Sequence, residues 1–398
     1  MRYTPPASSI STGWPSPPPT RAMPPLWPLA LALLATAARA GPPSAPTTGC
    51  RDPSGAIVDW WAALKRPGGF RYGYLDATAG PPGLDFSSPD DLDMPLTPWW
   101  RTLDPATAAV LSGRHPIPAQ MAPGPLGAIF YNDEMPDGRE EESRAHAKGA
   151  IVFDSRGGAW VTHSIPRFPQ PPTANGSIAE LPASAWTEAQ HAFCITLAPG
   201  GIEALAGALA LMRPNVYPFS AIPDALRLAY PNATTLLRPS PPPPPPSLAA
   251  IPLASAQGTQ FILLAKSPNF VAKIHDFVEQ YFNAPMEWQT WRRGRGGRLP
   301  SCCPPACPIE TLNVAGVAAA NRSAIAWPYT RDHSKWGVAL GRAGMEVFCA
   351  GDLNRMASQE RRGGGFLCGV APRLWRAFRG VVGAVEACAS ADALVVHH

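Results

Sequence analysis

The sequence predicts a mixed chain of helices and strands, α/β (α+β), built as two related halves. Three observations lead there. Its 398 residues suit one large duplicated unit, and a hydrophobic content of 45% is ample for a sizeable core. Two strings 187 positions apart, Arg144-Ala145-His146-Ala147-Lys148-Gly149 and Asp332-His333-Ser334-Lys335-Trp336, each contain a His-x-Lys. After each string the same order recurs: strand, glycine-containing turn, strand, polar residue. That polar residue is His163 in the first region, 17 positions after His146, and Asn354 in the second, 21 after His333. Segments of helical composition are interspersed with these strands.

The N-terminus reads as an address. An apolar run from Leu26 to Ala37 precedes Ala38-Arg39-Ala40, an A-x-A cleavage pattern. Residues 1–40 are therefore expected to be a signal peptide with an N-terminal extension, starting at Met1 or at Met23. The run is short and carries Pro28, so it makes a poor membrane span, and no later stretch is better. No stable membrane association is expected. Residues 41–235 should form the first half, 236–248 a proline-rich loop, and 249–398 the second half.

Along the chain, Ile57–Trp61 and Tyr72–Asp76 read as strands, and residues 85–98 as an acidic loop, with calcium as a minor reading. Leu126–Tyr131 is a strand ending in a turn at Asn132-Asp133-Glu134. Lys148–Phe153 and Trp160–Ile165 flank Asp154-Ser155-Arg156-Gly157-Gly158, a hairpin signal. One register of that hairpin sets His163 beside Lys148; a slip of one residue would not. Residues 186–213 have helical composition. The prolines at 241–246 make a stiff, exposed spacer. Beyond them, Gln260–Leu264 reads as a strand, 269–278 as an amphipathic helix, 291–298 as a basic loop, Ser334–Leu340 and Met345–Ala350 as strands, and Pro372–Ala387 as a helix.

A secreted context makes the 8 cysteines disulfide formers. Cys302, Cys303 and Cys307 cluster, but zinc wants a fourth ligand and none is near, so no metal is expected. Sequons at Asn175, Asn232 and Asn321 fit the same compartment. The net charge of +4 permits a polyanionic substrate without arguing for one.

The chemistry follows from the His-x-Lys pairs. On a strand, residues i and i+2 share a face, so each pair aims an imidazole and an ammonium at one spot. Two pairs supply a nucleophile, a proton donor and fixed positive charge, which suits phosphodiester cleavage without a metal or other cofactor. His115, His191 and His275 have no such partner and read as packed residues. Ser164 and Ser334 should face away from the histidines they follow.

The first pair and its 17-residue interval resemble the phospholipase D superfamily motif HxK(x)4D(x)6GSxN, with His163 in the asparagine slot and Asp154 one residue late. Gly351-Asp352-Leu353-Asn354 comes close to its GSxN. More broadly, the chain resembles the deoxyribonuclease II family. The resemblance rests on Val58-Asp59-Trp60, Tyr74-Leu75-Asp76, Tyr131-Asn132-Asp133, His146-Ala147-Lys148-Gly149, Trp160–Pro169 (WVTHSIPRFP), Leu312-Asn313-Val314, Asp332–Trp336 (DHSKW) and Arg361–Cys368 (RRGGGFLC). The family's first motif usually reads Arg-Gly-His-Thr-Lys, where this chain has Ala145 and Ala147. Residues 200–301 match poorly.

The resemblance implies a phospholipase D-like fold, two pseudo-symmetric halves each with a mixed β-sheet flanked by helices. It implies metal-free acid cleavage of DNA, leaving 3′-phosphate ends, in lysosomes or outside the cell. Its functional residues fall on His146, Lys148, His163, His333 and Lys335, with Asn354 beside them. Arg144 and Asp332, which flank the pairs, are expected to contact substrate. Disulfides Cys50–Cys194, Cys349–Cys368 and Cys303–Cys388 are implied, leaving Cys302 and Cys307 to pair or stay free. A phosphohistidine is expected on His146, with His333 as acid, or with these roles exchanged. Lysines beside the histidines should lower their pKa. The alternatives are a phosphodiesterase of the same fold acting on lipid, and a non-catalytic secreted DNA-binding glycoprotein.

Overall fold

Strands dominate the computed structural model, which describes residues 46–388 except 79, 81, 108–124, 173–175, 239–244, 246, 295, 320–324 and 342–344. The signal segment, His115, the Asn175 and Asn321 sequons and most of the proline tract lie outside the described residues. Asn232 is exposed at the start of a short helix.

The first sheet contains β1 (Trp60–Lys65), β2 (Tyr72–Asp76), β3 (Gly127–Tyr131), β4 (Gly149–Asp154), β5 (Gly157–His163) and β6 (Gln190–Leu197). Their order is β2-β1-β6-β5-β4-β3, antiparallel throughout. The second contains β7 (Leu248–Ala254), β8 (Gln260–Lys266), β9 (Met286–Gln289), β10 (Thr311–Ala318), β11 (Ala326–Pro328), β12 (Trp336–Ala339), β13 (Val347–Gly351), β14 (Gly364–Val370) and β15 (Val382–Val385). Its order is β11-β10-β9-β12-β13-β14-β8-β7, with β15 on β10, and β9–β10 is a parallel pair.

Six strands of each sheet correspond one to one: β2-β1-β6-β5-β4-β3 matches β7-β8-β14-β13-β12-β9, antiparallel at every step. A helix starting with proline follows each third strand, Pro199–Met212 after β6 and Pro372–Arg379 after β14. The edge hairpin differs. In the first half the inner strand comes first in the chain, in the second half the outer one does.

Alternation along the strands divides the core. Ile151 and Phe153 of β4 face one side, and Ala150 and Val152 the other. The first side joins Phe261, Trp336 and Phe348 of the second sheet and both proline-started helices in a shared core. Phe193 of β6 lies 5.7 Å from Phe348 of β13, ring to ring. Strands buried on both faces read as continuous apolar runs, which is why 186–198 passed for helix. The structure corrects this: Cys194 sits inside β6, and the helix spans Pro199–Met212. Similarly, the 269–278 helix runs from Ile274 to Phe282, and the C-terminal helix stops at Arg379, where Gly380 precedes β15. The hairpin register is the one that sets Lys148 opposite His163. Gly157, in its turn at φ 131°, has no room for a Cβ, which would strike the Leu197 carbonyl.

Disulfides join Cys50–Cys194, Cys303–Cys388 and Cys349–Cys368, and Cys302 pairs with Cys307. The clustered thiols are thus used up in bridges. No helix among the described residues is long and apolar enough to cross a membrane.

Candidate active site

Both His-x-Lys strings sit immediately before equivalent strands, β4 and β12, rather than within them. The Lys148 carbonyl accepts from the His163 N–H at 3.2 Å. In the second half the Lys335 carbonyl accepts from Gly351 N–H at 3.1 Å. The counterpart of His163 is therefore Gly351, 18 residues after His333, and the 21-residue interval to Asn354 was a false match. Asn354 lies three residues further on. It lines a small recess with Lys273, His275 and Glu360, and its Oδ1 has no partner among the described residues.

One residue beyond each counterpart, a carbonyl crosses to the other half. Ser164, after His163, presents its carbonyl 2.9 Å from His333 Nδ1, and Asp352, after Gly351, presents its own 2.8 Å from His146 Nδ1. The backbone repeats the exchange: His146 N–H donates to Gly363 and His333 N–H to Ala189, both at 2.9 Å. A carbonyl only accepts, so each Nδ1 carries the proton and each Nε2 of the neutral ring keeps its lone pair. His163 is fixed in the opposite sense. Its Nδ1 accepts from Ile165 N–H at 3.1 Å, so its Nε2 bears the hydrogen, buried and without a partner among the described residues.

The halves differ in one respect. Tyr131 pairs with Gly149 and Gln289 with Trp336, so Asp133 and Trp291, each two residues on, occupy equivalent places. Asp133 bonds Lys148 Nζ and lies 3.8 Å from His146 Nε2 and 3.3 Å from Arg362 Nη2. Trp291 instead sets its ring edge-on to His333, 5.3 Å between centroids. Lys335 Nζ lies 3.2 Å from the His333 ring nitrogens and donates to the His333 carbonyl at 2.7 Å. Neither Asp133 nor Trp291 stood out as functional in the sequence, although Asp133 lies within one of the family strings.

Burial is the largest influence on these groups. It lowers His146 to about 3, opposed by Asp133 and assisted by Lys148 and Lys335. It also lowers His333 well below its usual range, with Lys335, Lys148 and His146 adding to the effect. The lysines lower both histidines, as the sequence suggested, but after burial. For Asp133, burial acts upward, but Lys148, His146 and Arg362 together hold the carboxyl well below the usual range. Lys335 is pushed down by burial and by Lys148.

Other expected residues fall as follows. Asp332 is fully buried. Its carboxylate accepts from Trp327 Nε1 at 2.8 Å and from the Ser334 N–H and hydroxyl, so it braces the second string rather than facing outward. Arg144 is half-buried and borders a cavity; its carbonyl accepts from Arg362 Nε at 2.8 Å. Ser164 donates to Gln190. His191 is more than packing: its Nδ1 accepts the backbone N–H of Lys335 at 3.0 Å. In the basic loop, Arg292 is buried against Glu386, so that stretch is only partly solvated.

Against this geometry stand the likenesses to known proteins. The profile of the family described as Deoxyribonuclease II matches residues 49–388. Deoxyribonuclease-2-alpha of Sus scrofa is 30% identical over 360 residues, 86% of this chain and 91% of its own. Deoxyribonuclease-2-beta of Homo sapiens is 28% identical over 355 residues, 86% and 92% respectively. Plancitoxin-1 of Acanthaster planci is 30% identical over 268 residues, 67% and 72%. The family's profile covers nearly all of the described residues, both His-x-Lys strings included, and the chain belongs to the deoxyribonuclease II family.

Proposed function

We propose that this protein is an acid endodeoxyribonuclease that cleaves DNA without a metal, through a phosphohistidine, and works in a lysosome or outside the cell. The observation that carries this is the exchange of anchors. Each imidazole is held through Nδ1 by the opposite half, which leaves the chemistry to the two Nε2 atoms, that of His146 3.8 Å from Asp133 and that of His333 3.2 Å from Lys335 Nζ. The halves then divide the labour. Asp133 favours a proton on His146, whereas the leading influences on His333 are burial and the cations Lys335 and Lys148. This favours His333 as nucleophile and His146 as acid, the exchanged form of the sequence expectation.

In the first step the His333 Nε2 lone pair forms the N–P bond. The P–O5′ bond breaks, and the His146 Nε2 proton passes to the departing oxygen, giving a 5′-hydroxyl. In the second, neutral His146 takes a proton from water, whose oxygen attacks phosphorus. The N–P bond breaks, leaving a 3′-phosphate and free His333. Lys148, Lys335 and the Nε2–H of His163 supply donors for the phosphoryl oxygens as charge develops. The bound phosphate, an anion, offsets the burial that lowers the lysine and histidine pKa values. Asp332 and His191 position the second string.

The test uses supercoiled plasmid at acid pH in EDTA, with end-group analysis. Wild type should nick the plasmid and leave 3′-phosphate; His146→Ala and His333→Ala should each lose at least a hundredfold, the low end for acid–base catalysis at about 10²-fold. A leaving group that needs no proton separates the roles. On bis(p-nitrophenyl) phosphate, H146A should still form a phosphoenzyme and H333A should not. Nicking that requires a divalent metal, or 5′-phosphate ends, would overturn the reading; a phosphoenzyme in H333A would overturn the role assignment alone.

A further inference from the structure

The basic loop at 291–298 adjoins the histidine cluster, and the steps above use none of its cations. Trp291 opens it, half-buried, with its ring 5.3 Å from that of His333. The Arg293 guanidinium lies 5.6 Å from the centre of the Trp291 ring. Two contacts therefore lead from the reacting imidazole to an exposed cation. The loop is fastened on both sides. Ala357 and Ser358 N–H donate to the Gly297 and Gly296 carbonyls at 2.9 and 3.2 Å. Buried Arg292 bonds Glu386 at 2.6 Å and sets its guanidinium 4.2 Å from the centre of the Tyr329 ring. Arg293 Nη1 donates to the Thr330 carbonyl at 3.0 Å, and Arg298 Nη1 to the Tyr329 hydroxyl at 2.9 Å. Arg331 follows, two residues before His333, and its Nη2 donates to the Thr187 carbonyl at 3.1 Å.

Arg293, Arg298 and Arg331 are exposed, and each is aimed by a neutral acceptor, a carbonyl or a hydroxyl. Such a bond fixes the direction of a guanidinium and leaves it its charge and its other N–H donors. The neighbouring carboxylates are engaged elsewhere. Asp332 accepts from Trp327 and Ser334, Glu386 accepts from Arg292, and the Glu188 Oε2 is buried. The result is a ridge of three oriented positive charges that begins next to His333. Guanidiniums so placed suit phosphate oxygens, whose contacts position a nucleic-acid strand without reading its bases. A strand carries a phosphate every ~3.4 Å of axis, so one gripped at His333 reaches Arg293 about three phosphates on. We propose that Arg293, Arg298 and Arg331 form a track for the backbone of the DNA being cut, binding phosphates about three nucleotides or more from the scissile one. The inference rests on the nuclease reading above. It adds that affinity is built outside the point of cleavage, on the His333 side, whatever the base sequence.

The test measures binding of fluorescein-labelled phosphorothioate oligonucleotides, which resist cleavage, against salt concentration. Wild type is compared with Arg293→Gln, Arg298→Gln, Arg331→Gln, the triple variant and Arg293→Lys. Arg227→Gln controls for net charge, since Arg227 is exposed and pairs with Asp224 at 3.1 Å. All four arginines lie at the surface, so their replacement leaves folding intact, and glutamine keeps an N–H for each acceptor. Each single glutamine variant of the ridge should bind more weakly on every base sequence and lower the salt slope by about one, and the triple variant by about three. R293K and R227Q should keep the wild-type slope. A wild-type slope in the triple variant, or the same loss in R227Q as in R293Q, would overturn the proposal. Heparin serves as the second arm: ridge variants that loosen heparin but bind DNA as wild type does would assign the ridge to another polyanion and overturn it too. Because binding is read without turnover, a wild type that binds DNA through the ridge but cuts no plasmid refutes the nuclease reading and leaves DNA binding on the ridge standing. A wild type that cuts in EDTA while the ridge variants keep its slope refutes the track alone.

Discussion

A single side chain breaks the symmetry of the two imidazoles. Asp133 stands where the other half has Trp291, and it acts on His146 in the sense opposite to burial and Lys148. Replacing Asp133 with Asn keeps the shape and removes the charge. His146 should then hold its proton only at lower pH, and because the proposed mechanism uses the acid form of His146 in the first step, the descending limb of the pH–rate profile should move to lower pH by one unit or more, about the effect of a neighbouring opposite charge. A profile with unmoved midpoints, whatever the loss in rate, would remove Asp133 from the proton inventory. The Asp133 carboxyl itself has a depressed pKa, so its stabilising pairing with Lys148 is present above the unfolded value of about 4 and is lost only as pH falls through its lower folded value. It therefore survives mild acid. At this scale the sequence was informative about which side chains meet, as in the His-x-Lys pairs and His163. The carbonyls of Ser164 and Asp352 were invisible, because every residue has one and only the fold says where it points.

At the scale of elements, the duplication reaches residues far from the chemistry. Lys65 ends β1 and Lys266 ends the equivalent β8, and both are fully buried. Each ammonium donates to the carbonyl four residues on: Lys65 to Gly69 at 2.7 Å, Lys266 to Phe270 at 2.9 Å. Each also bonds a second carbonyl, Arg66 and Glu360 respectively, both at 2.7 Å. With Lys148 and Lys335, these make two symmetry-related lysine pairs, and Lys273 is the one exposed lysine. Lysine in this chain is thus mostly an interior clamp. Lys65→Met and Lys266→Met keep the stem and strip the donors from two carbonyls each. We expect each to cost about 1–3 kcal/mol, the penalty for unpaired buried acceptors. As the sites lie in separate halves, the double variant should lose the sum within about 0.5 kcal/mol. Chemical denaturation checks both, and a cost near zero would show that the clamps hold nothing. The sequence showed hairpins well, since a turn and alternation mark them locally. It missed β6, β7, β9, β10, β11, β14 and β15; β6 and β14 are buried on nearly every residue, and β9, β11 and β15 are too short to show a period-two signal.

At the scale of the molecule, burial sets charge states that favour an acid compartment in part. Glu279, on the helix under β9, accepts from Trp288 Nε1 at 2.8 Å, and burial raises its carboxyl to about 7. Asp352, whose carbonyl orients His146, is likewise raised to about 7 by burial. A carboxyl whose folded pKa lies above its unfolded value of about 4.3 gives stability that is fully present below that value. It is lost as pH climbs through the folded pKa. The buried histidines run the other way: His191 is lowered to about 3 by burial, so its protonation in the unfolded chain erodes stability below ~6.5. The two tendencies overlap, so the total curve cannot isolate either. A difference measurement can. Glu279→Gln imitates the protonated carboxyl and does not titrate. Its melting temperature relative to wild type should be flat below about 4.3, rise between that value and about 7, and level off above. The gap on the alkaline side should be on the order of 3 kcal/mol, the worth of a shift of about two to three pKa units. A pH-independent gap would mean that Glu279 ionises in place without cost, and that this buried carboxyl does not bias the fold toward acid.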